Sequence, residues 1–177
     1  VFTDVFGWSR EAGLEPVDLI TTGLRSEMKC YWNLIVKPEL PFSEINIEDF
    51  DALAIPGGAG EAGFYEDAYD ERFLNLIREF NRRGKIIASI CVAALPIAKS
   101  GVLNQRNATT WDLNNGVRRK QLADFCVKVQ DEQLVVDNNI ITSTGPATSL
   151  EVAFKLLVMQ SSIDNVNEVK TNKCFIL

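Results

Sequence analysis

The sequence predicts an α/β fold built on a mostly parallel sheet with helices on both faces. Three observations predict it. Short apolar runs of strand type, such as Ala52 to Ile55 and Lys85 to Ile90, alternate with amphipathic stretches of helical period. Glycines punctuate the joins at Gly13, Gly23, Gly84 and Gly101. Near the middle, a strand passes through Cys91, flanked by small residues, straight into a helix. Strand–helix alternation gives a layered α/β domain. In such domains ligands bind beyond the carboxyl ends of the strands.

The elements follow in order. Val1 to Ala12 reads as a helix, with Val1, Val5, Trp8 and Ala12 at helical spacing and Phe2 and Phe6 widening the stripe. Pro16 to Thr22 reads as a strand ended by Gly23, and Cys30 to Val36 as further extended chain. Pro41 to Asp49 reads as loop or a short helical turn. Asp51 to Ile55 is a strand running into Pro56-Gly57-Gly58. Paired glycines there let the backbone approach a ligand and present N–H groups. The spacing is not that of a phosphate loop, which needs GxxxxGK[ST]. Asp70 to Arg83 is an amphipathic helix with Phe73, Leu74, Ile77 and Phe80 on one face.

After the central strand, Ala94 to Lys99 forms a helix that stops at Gly101. Asn107 to Trp111 is a short strand. Val117 to Phe125 is a helix with Val117, Leu122 and Phe125 inward, and Arg118, Arg119 and Lys120 as a solvated face. Gln133 to Asp137 and Ile140 to Ser143 form a hairpin about Asn138-Asn139, which tolerates φ > 0. Thr148 and Glu151 have capping-box spacing and open a helix through Val152, Leu156, Leu157 and Met159. The tail from Asp164 is polar until Cys174-Phe175-Ile176-Leu177.

The 177 residues suffice for one domain with a real core, and no linker or repeat divides them. A formal charge of −6 without a basic stripe argues against nucleic acid. No apolar run approaches the length of a membrane span, so no membrane partner is expected. Cys30, Cys91, Cys126 and Cys174 are scattered without a CxxC pair, which argues against a metal site or a thioredoxin-like motif. They read as free thiols of a reducing, cytoplasmic compartment. No cofactor is implied. There is no histidine. A Cys–His dyad, a Ser–His–Asp triad and His-ligated metal sites are therefore excluded within these residues.

The chemistry concentrates at Ser89-Ile90-Cys91-Val92-Ala93. A nucleophile on a strand-to-helix turn is the geometry of a nucleophile elbow, whose tight turn demands small neighbours two residues before and after. Ser89 and Ala93 meet that demand. Helix amides and dipole at the turn favour an anion and lower a thiol pKa. The competing reading is a buried cysteine that only packs. Three strand-end loops converge on the same rim: Pro56-Gly57-Gly58, Ser89 to Val92, and Thr144-Gly145-Pro146.

These pieces, with Ala108-Thr109-Thr110 and Ile141 to Ser149, stand in the order and spacing of the ThiJ/PfpI superfamily, relatives of class I glutamine amidotransferase domains, which the chain resembles over most of its length. The resemblance implies a flavodoxin-like three-layer sandwich, a single domain over residues 1–177, and a homodimer or larger assembly. It implies Cys91 as nucleophile or redox-sensitive thiol, with oxyanion donors at the Gly58 and Val92 N–H groups. Gly57, Trp111, Thr144, Gly145 and Pro146 would line the pocket. Val92 and Trp111 stand where many members carry histidines, so protease-like and glyoxalase-like activities that need one are not expected. Members also begin with a strand and a loop bearing an acid that contacts the cysteine. This sequence starts in the helix after that loop, so roughly 10–20 further residues, one strand and a loop, are expected upstream.

Three functions follow. The first is a cysteine-dependent hydrolase, hydratase or lyase, deglycase-like or isocyanide-hydratase-like, acting on a small electrophile. The second is a non-catalytic stress-response protein whose Cys91 oxidises to a sulfinate. The third is a plain binding or regulatory domain. Cys174 to Leu177 also fit a prenylation box. Without a strong polybasic run before them, an apolar tail docked on the domain is preferred.

Overall fold

The computed structural model describes residues 1–113 and 116–172. Helix α1 (Phe2–Ala12) buries Val5, Phe6 and Ser9. The sequence placed Val1, Val5, Trp8 and Ala12 inward, but Val1 and Trp8 are 46% and 38% exposed. The helix is turned because Ser9 is drawn inside. Its hydroxyl donates to the Glu15 carbonyl and accepts from the Asn165 amide.

The expected strand Pro16 to Thr22 shrinks to β1 (Thr22–Gly23). Of the residues before it, Thr21 alone reaches a strand among the described residues, its carbonyl accepting from Leu40 N–H at 3.0 Å. Thr21 N–H donates instead to the Glu39 carboxylate at 3.1 Å, while Val17 and Leu19 pack on the core through side chains alone. The expected run Cys30 to Val36 is a tight hairpin. Strands β2 (Met28–Lys29) and β3 (Ile35–Val36) pair antiparallel about a turn in which Asn33 takes φ +66°. Strand β4 (Leu40–Pro41) pairs parallel with β1, and short 3-10 turns lead to β5 (Ala52–Ile55).

Helix α2 (Phe64–Ala68) precedes α3 (Glu71–Arg82), which is capped by Asp70 accepting from Arg72 N–H. Next come β6 (Ile86–Ser89), a 3-10 turn at Cys91–Ala93, and α4 (Ala94–Lys99), as expected. Strand β7 (Asn107–Ala108), helix α5 (Val117–Asp124) and strand β8 (Lys128–Val129) follow, with β7 and β8 parallel. Strands β9 (Leu134–Asp137) and β10 (Ile140–Ser143) form the predicted hairpin, with Asn138 at φ +52°.

Helix α6 (Ser149–Gln160) lacks the expected capping box. The Thr148 hydroxyl donates back to the Gly145 carbonyl at 2.8 Å and is unavailable to the helix amides. Helix α7 (Ile163–Asn172) occupies a stretch that reads as polar tail, yet buries Asn165, Val166 and Val169. Helix α5 departs from its predicted face too. Leu122 is buried, but Val117 is 48% exposed. Arg119 is half-buried and pairs with Asp112 and Asp131 rather than standing in solvent.

The main sheet runs β5-β6-β10-β9, parallel across its first three strands with β9 antiparallel at the edge. Alternation along the strands divides the core. Ile55, Ile87 and Ile140 face α3, α4 and α5, whereas Ala88 and Ile141 face α1, α6 and α7. The result is a three-layer α/β sandwich with a mostly parallel sheet. No helix among the described residues is long and apolar enough to cross a membrane. The Cys174 to Leu177 expectations lie outside the described residues.

Candidate functional site

Strands β5 and β6 end side by side. Ile90 N–H, just past β6, donates to the Ile55 carbonyl at 3.2 Å, so the elbow lies against the Pro56-Gly57 corner. Cys91 then takes φ +61°, in the left-handed region disfavoured for a side-chain-bearing residue. The chain beneath it turns into α4, whose Ala94, Leu95, Ile97 and Ala98 are buried. Burial of that helix and of β6 fixes the turn from both sides. The Thr110 hydroxyl locks it by donating to the Cys91 carbonyl at 3.0 Å.

Gly57 is matched to this conformation. A Cβ there would stand 2.8 Å from Cys91 Cβ and 3.0 Å from the Ile90 carbonyl oxygen. Gly58 serves a different neighbour, since a Cβ would fall 2.2 Å from the Phe64 ring. The two glycines therefore admit the elbow on one side and the start of α2 on the other.

Cys91 is half-buried. Burial pushes its thiol above the ordinary range, opposed by a hydrogen bond from Val92 N–H and by the positive charge of Arg118. The sequence-based expectation of a lowered thiol pKa is thus reversed. The elbow supplies its amide, but desolvation of a thiolate among apolar side chains outweighs one amide and one cation.

Of the other predicted site residues, Trp111 and Gly145 meet each other, a Cβ on Gly145 reaching within 3.3 Å of Trp111 Cδ1. Thr144 N–H donates to the Gln133 carbonyl at 2.9 Å, and Pro146 is exposed at the start of the 3-10 turn Pro146–Thr148. Cys91, Gly57 and Val92 are brought together directly.

Sequence reasoning missed Thr110, Tyr65 and Arg118. Tyr65 acts electrostatically with Cys91, and burial raises its phenol pKa. The Arg118 guanidinium lies over the Tyr65 ring, 5.2 Å from its centre. Arg118 is half-buried, not part of a solvated face. The only signal for it was the Arg118-Arg119-Lys120 cluster, in which nothing distinguished one cation from the next. Among the described residues no group of His, Cys, Asp or Glu is arranged to hold a metal ion. A groove lined by Phe6, Arg10, Val17, Leu19 and Glu39 shares no residue with the cysteine site.

A profile of the DJ-1/PfpI family matches residues 3–159. The protein dj-1beta of Drosophila melanogaster is 31% identical over 80% of this chain and 73% of its own length. A deglycase of Pyrococcus horikoshii is 32% identical over 63% of each chain. A solved ThiJ/PfpI family protein from Pseudomonas syringae superposes with a TM-score of 0.81 at 20% identity, over 99% of this chain and 68% of that one. That structural likeness extends the agreement to a flavodoxin-like fold.

Proposed function

The chain belongs to the DJ-1/PfpI family, and from that premise we propose that it is a cysteine-dependent enzyme acting on a small electrophile, with Cys91 as nucleophile. The observation that carries the reading is Cys91 held at φ +61° at the ends of parallel strands, with the Val92 amide on its sulfur. Strained, half-buried nucleophiles of this kind persist where the surroundings over-determine them.

In the proposed reaction the Cys91 thiolate attacks an electrophilic carbon. A C–S bond forms and the C=O electron pair moves to oxygen. Backbone N–H groups at Gly58 and Val92 are the proposed donors to that oxyanion. The oxyanion then re-forms C=O and expels the substrate's amine or thiol with a proton, and water cleaves the C–S bond of the resulting thioester, releasing the acid and returning the thiol. Trp111, Gly145, Thr144 and Pro146 form one wall of the proposed pocket. A deglycase-like reaction agrees with the name carried by the Pyrococcus horikoshii relative. A single domain, a cytoplasmic location and a homodimer complete the reading.

The test is turnover of a panel of small aldehydes, their amine and thiol adducts, and isocyanides by wild type and Cys91→Ala. Turnover lost in Cys91→Ala supports the enzyme. Equal turnover in both, or none in either, refutes it. The redox-sensing alternative draws on the same Val92 amide, which would hold a sulfinate oxygen after oxidation by peroxide. It gains ground if peroxide adds two oxygens to Cys91 while the whole panel goes unturned.

A further inference from the structure

We propose that Arg118 and Tyr65 form an anion subsite beside Cys91, so that the site selects small electrophiles carrying a carboxylate. The inference deepens the nucleophile reading and rests on it. Two independent observations point to the ligand.

The first is the isolation of Arg118. The other eight arginines all lie within ion-pairing distance of a carboxylate: Arg10, Arg25, Arg72, Arg78, Arg82, Arg83, Arg106 and Arg119. Arg118 makes no such pair among the described residues. It donates from Nη1 to Gln121 Oε1 at 2.8 Å and stacks its cation over Tyr65. A guanidinium carries five N–H donors in a planar fork suited to a carboxylate. Stacking on the ring fixes the fork without using it up.

The second is the Tyr65 hydroxyl, which is buried and has no hydrogen-bond partner among the described residues. A buried polar group without a partner is costly and asks for an explanation. Burial keeps this phenol protonated, so it can donate to an anion. Gly57 lies against Cys91 and Gly58 against the Phe64 ring, whose neighbour Tyr65 packs on the same core cluster as Cys91, which places the subsite on the side of the thiol; both groups also act electrostatically with that thiol. Glu61 is exposed, and its charge is the smallest of the influences on the Tyr65 phenol, after burial, Arg118 and Cys91. A carboxylate bound between Arg118 and Tyr65 would satisfy both and hold the adjoining carbon toward the sulfur.

Iodoacetate and iodoacetamide test this without requiring turnover. In each the thiolate displaces iodide and forms an S–CH2 bond, but only iodoacetate carries a carboxylate. Site-resolved peptide mapping gives the iodoacetate-to-iodoacetamide rate ratio at Cys91. The exposed Cys30 and Cys126 serve as references in the same digest. Any change in thiol pKa affects both reagents alike and cancels in the ratio. In wild type the Cys91 ratio is expected to exceed that of the references. In Arg118→Gln it falls about five- to tenfold, a charge-assisted hydrogen bond discounted for partial exposure. In Tyr65→Phe it falls about two- to threefold, and Arg118→Lys retains part of it. A Cys91 ratio equal to the references and unmoved by Arg118→Gln overturns the subsite. So does a variant in which both rates fall together. If Cys91 reacts with neither reagent at any pH, the nucleophile reading fails and takes the subsite with it. If the ratio behaves as expected but no electrophile is turned over, only the enzyme reading is lost.

Discussion

Cys91 carries opposing demands at the scale of one side chain. At φ +61° it stands against the Gly57 corner, half-exposed at the strand-end rim. The same apolar packing desolvates the thiolate. Because burial raises the folded thiol pKa, the protonated form is favoured in the native state. The associated stability is complete below the unfolded thiol's pKa and is lost as pH rises through the folded value. Reactivity has the opposite sense, since the thiolate is the nucleophile. The iodoacetamide rate at Cys91 should therefore rise with pH about a midpoint above that of an ordinary cysteine. Arg118→Gln should move that midpoint higher, because its cation favours the thiolate. A midpoint below the ordinary value, read by pH-resolved peptide mapping, would mean that the Val92 amide and Arg118 outweigh burial.

At the scale of elements, α3 and α7 differ in how they are specified. Helix α3 declares itself through Phe73, Leu74, Ile77 and Phe80 and through the Asp70 cap, whose carboxyl the Arg72 side chain and N–H hold at about 2. Helix α7 has few apolar residues, and one buried polar side chain joins it to α1. Asn165 is fully buried. Its amide donates to the Glu15 carbonyl and Ser161 hydroxyl, both at 2.9 Å, and its oxygen accepts from Glu15 N–H at 3.1 Å. Gly13 lies so close that a Cβ there would fall 2.6 Å from the same oxygen. Asn165→Ala leaves several of these groups without partners and should cost about 2–3 kcal/mol. Urea unfolding reads the loss as a lower midpoint at unchanged slope. An unchanged midpoint would show that the network contributes no net stability.

At the scale of the molecule, the two helical layers cover the sheet on both faces, and exposed apolar side chains also gather away from them. The family resemblance implies a homodimer. In α1, Val5 and Phe6 turn inward against α6 and α7, while Val1 and Trp8 stay exposed. Exposed apolar side chains gather at the β2–β3 hairpin, where Tyr31, Leu34 and Ile35 are more than half exposed and Trp32 is 84% exposed. A cluster of that kind marks an association surface. If the proposed homodimer forms through it, light scattering at micromolar concentration gives twice the 19.7 kDa subunit mass, and Trp32→Glu returns the monomer. A monomeric wild type would refute the dimer, and a dimeric Trp32→Glu would place the interface on another surface.

The sequence by itself determined what is local. Periodicity located α3, β5, β6 and the β9–β10 hairpin, and the small residues around Cys91 identified the elbow, because a tight turn constrains its immediate neighbours. The absence of histidine bounded the chemistry open to these residues. Tertiary structure decided what depends on distant partners. Residues 16–21 read as a strand but form no ladder, since strand formation needs a neighbour that composition does not reveal. Residues 163–172 read as polar tail but form a helix, since Asn165 finds its partners near position 15. Arg118 and Arg119 are indistinguishable in the chain, yet one reaches Asp112 and Asp131 and the other stacks on Tyr65 near the thiol. The direction of the Cys91 pKa was settled in the same way. The helix amide that stabilises a thiolate is encoded within two residues, whereas the desolvation that overrides it comes from side chains brought together only by the packed layers.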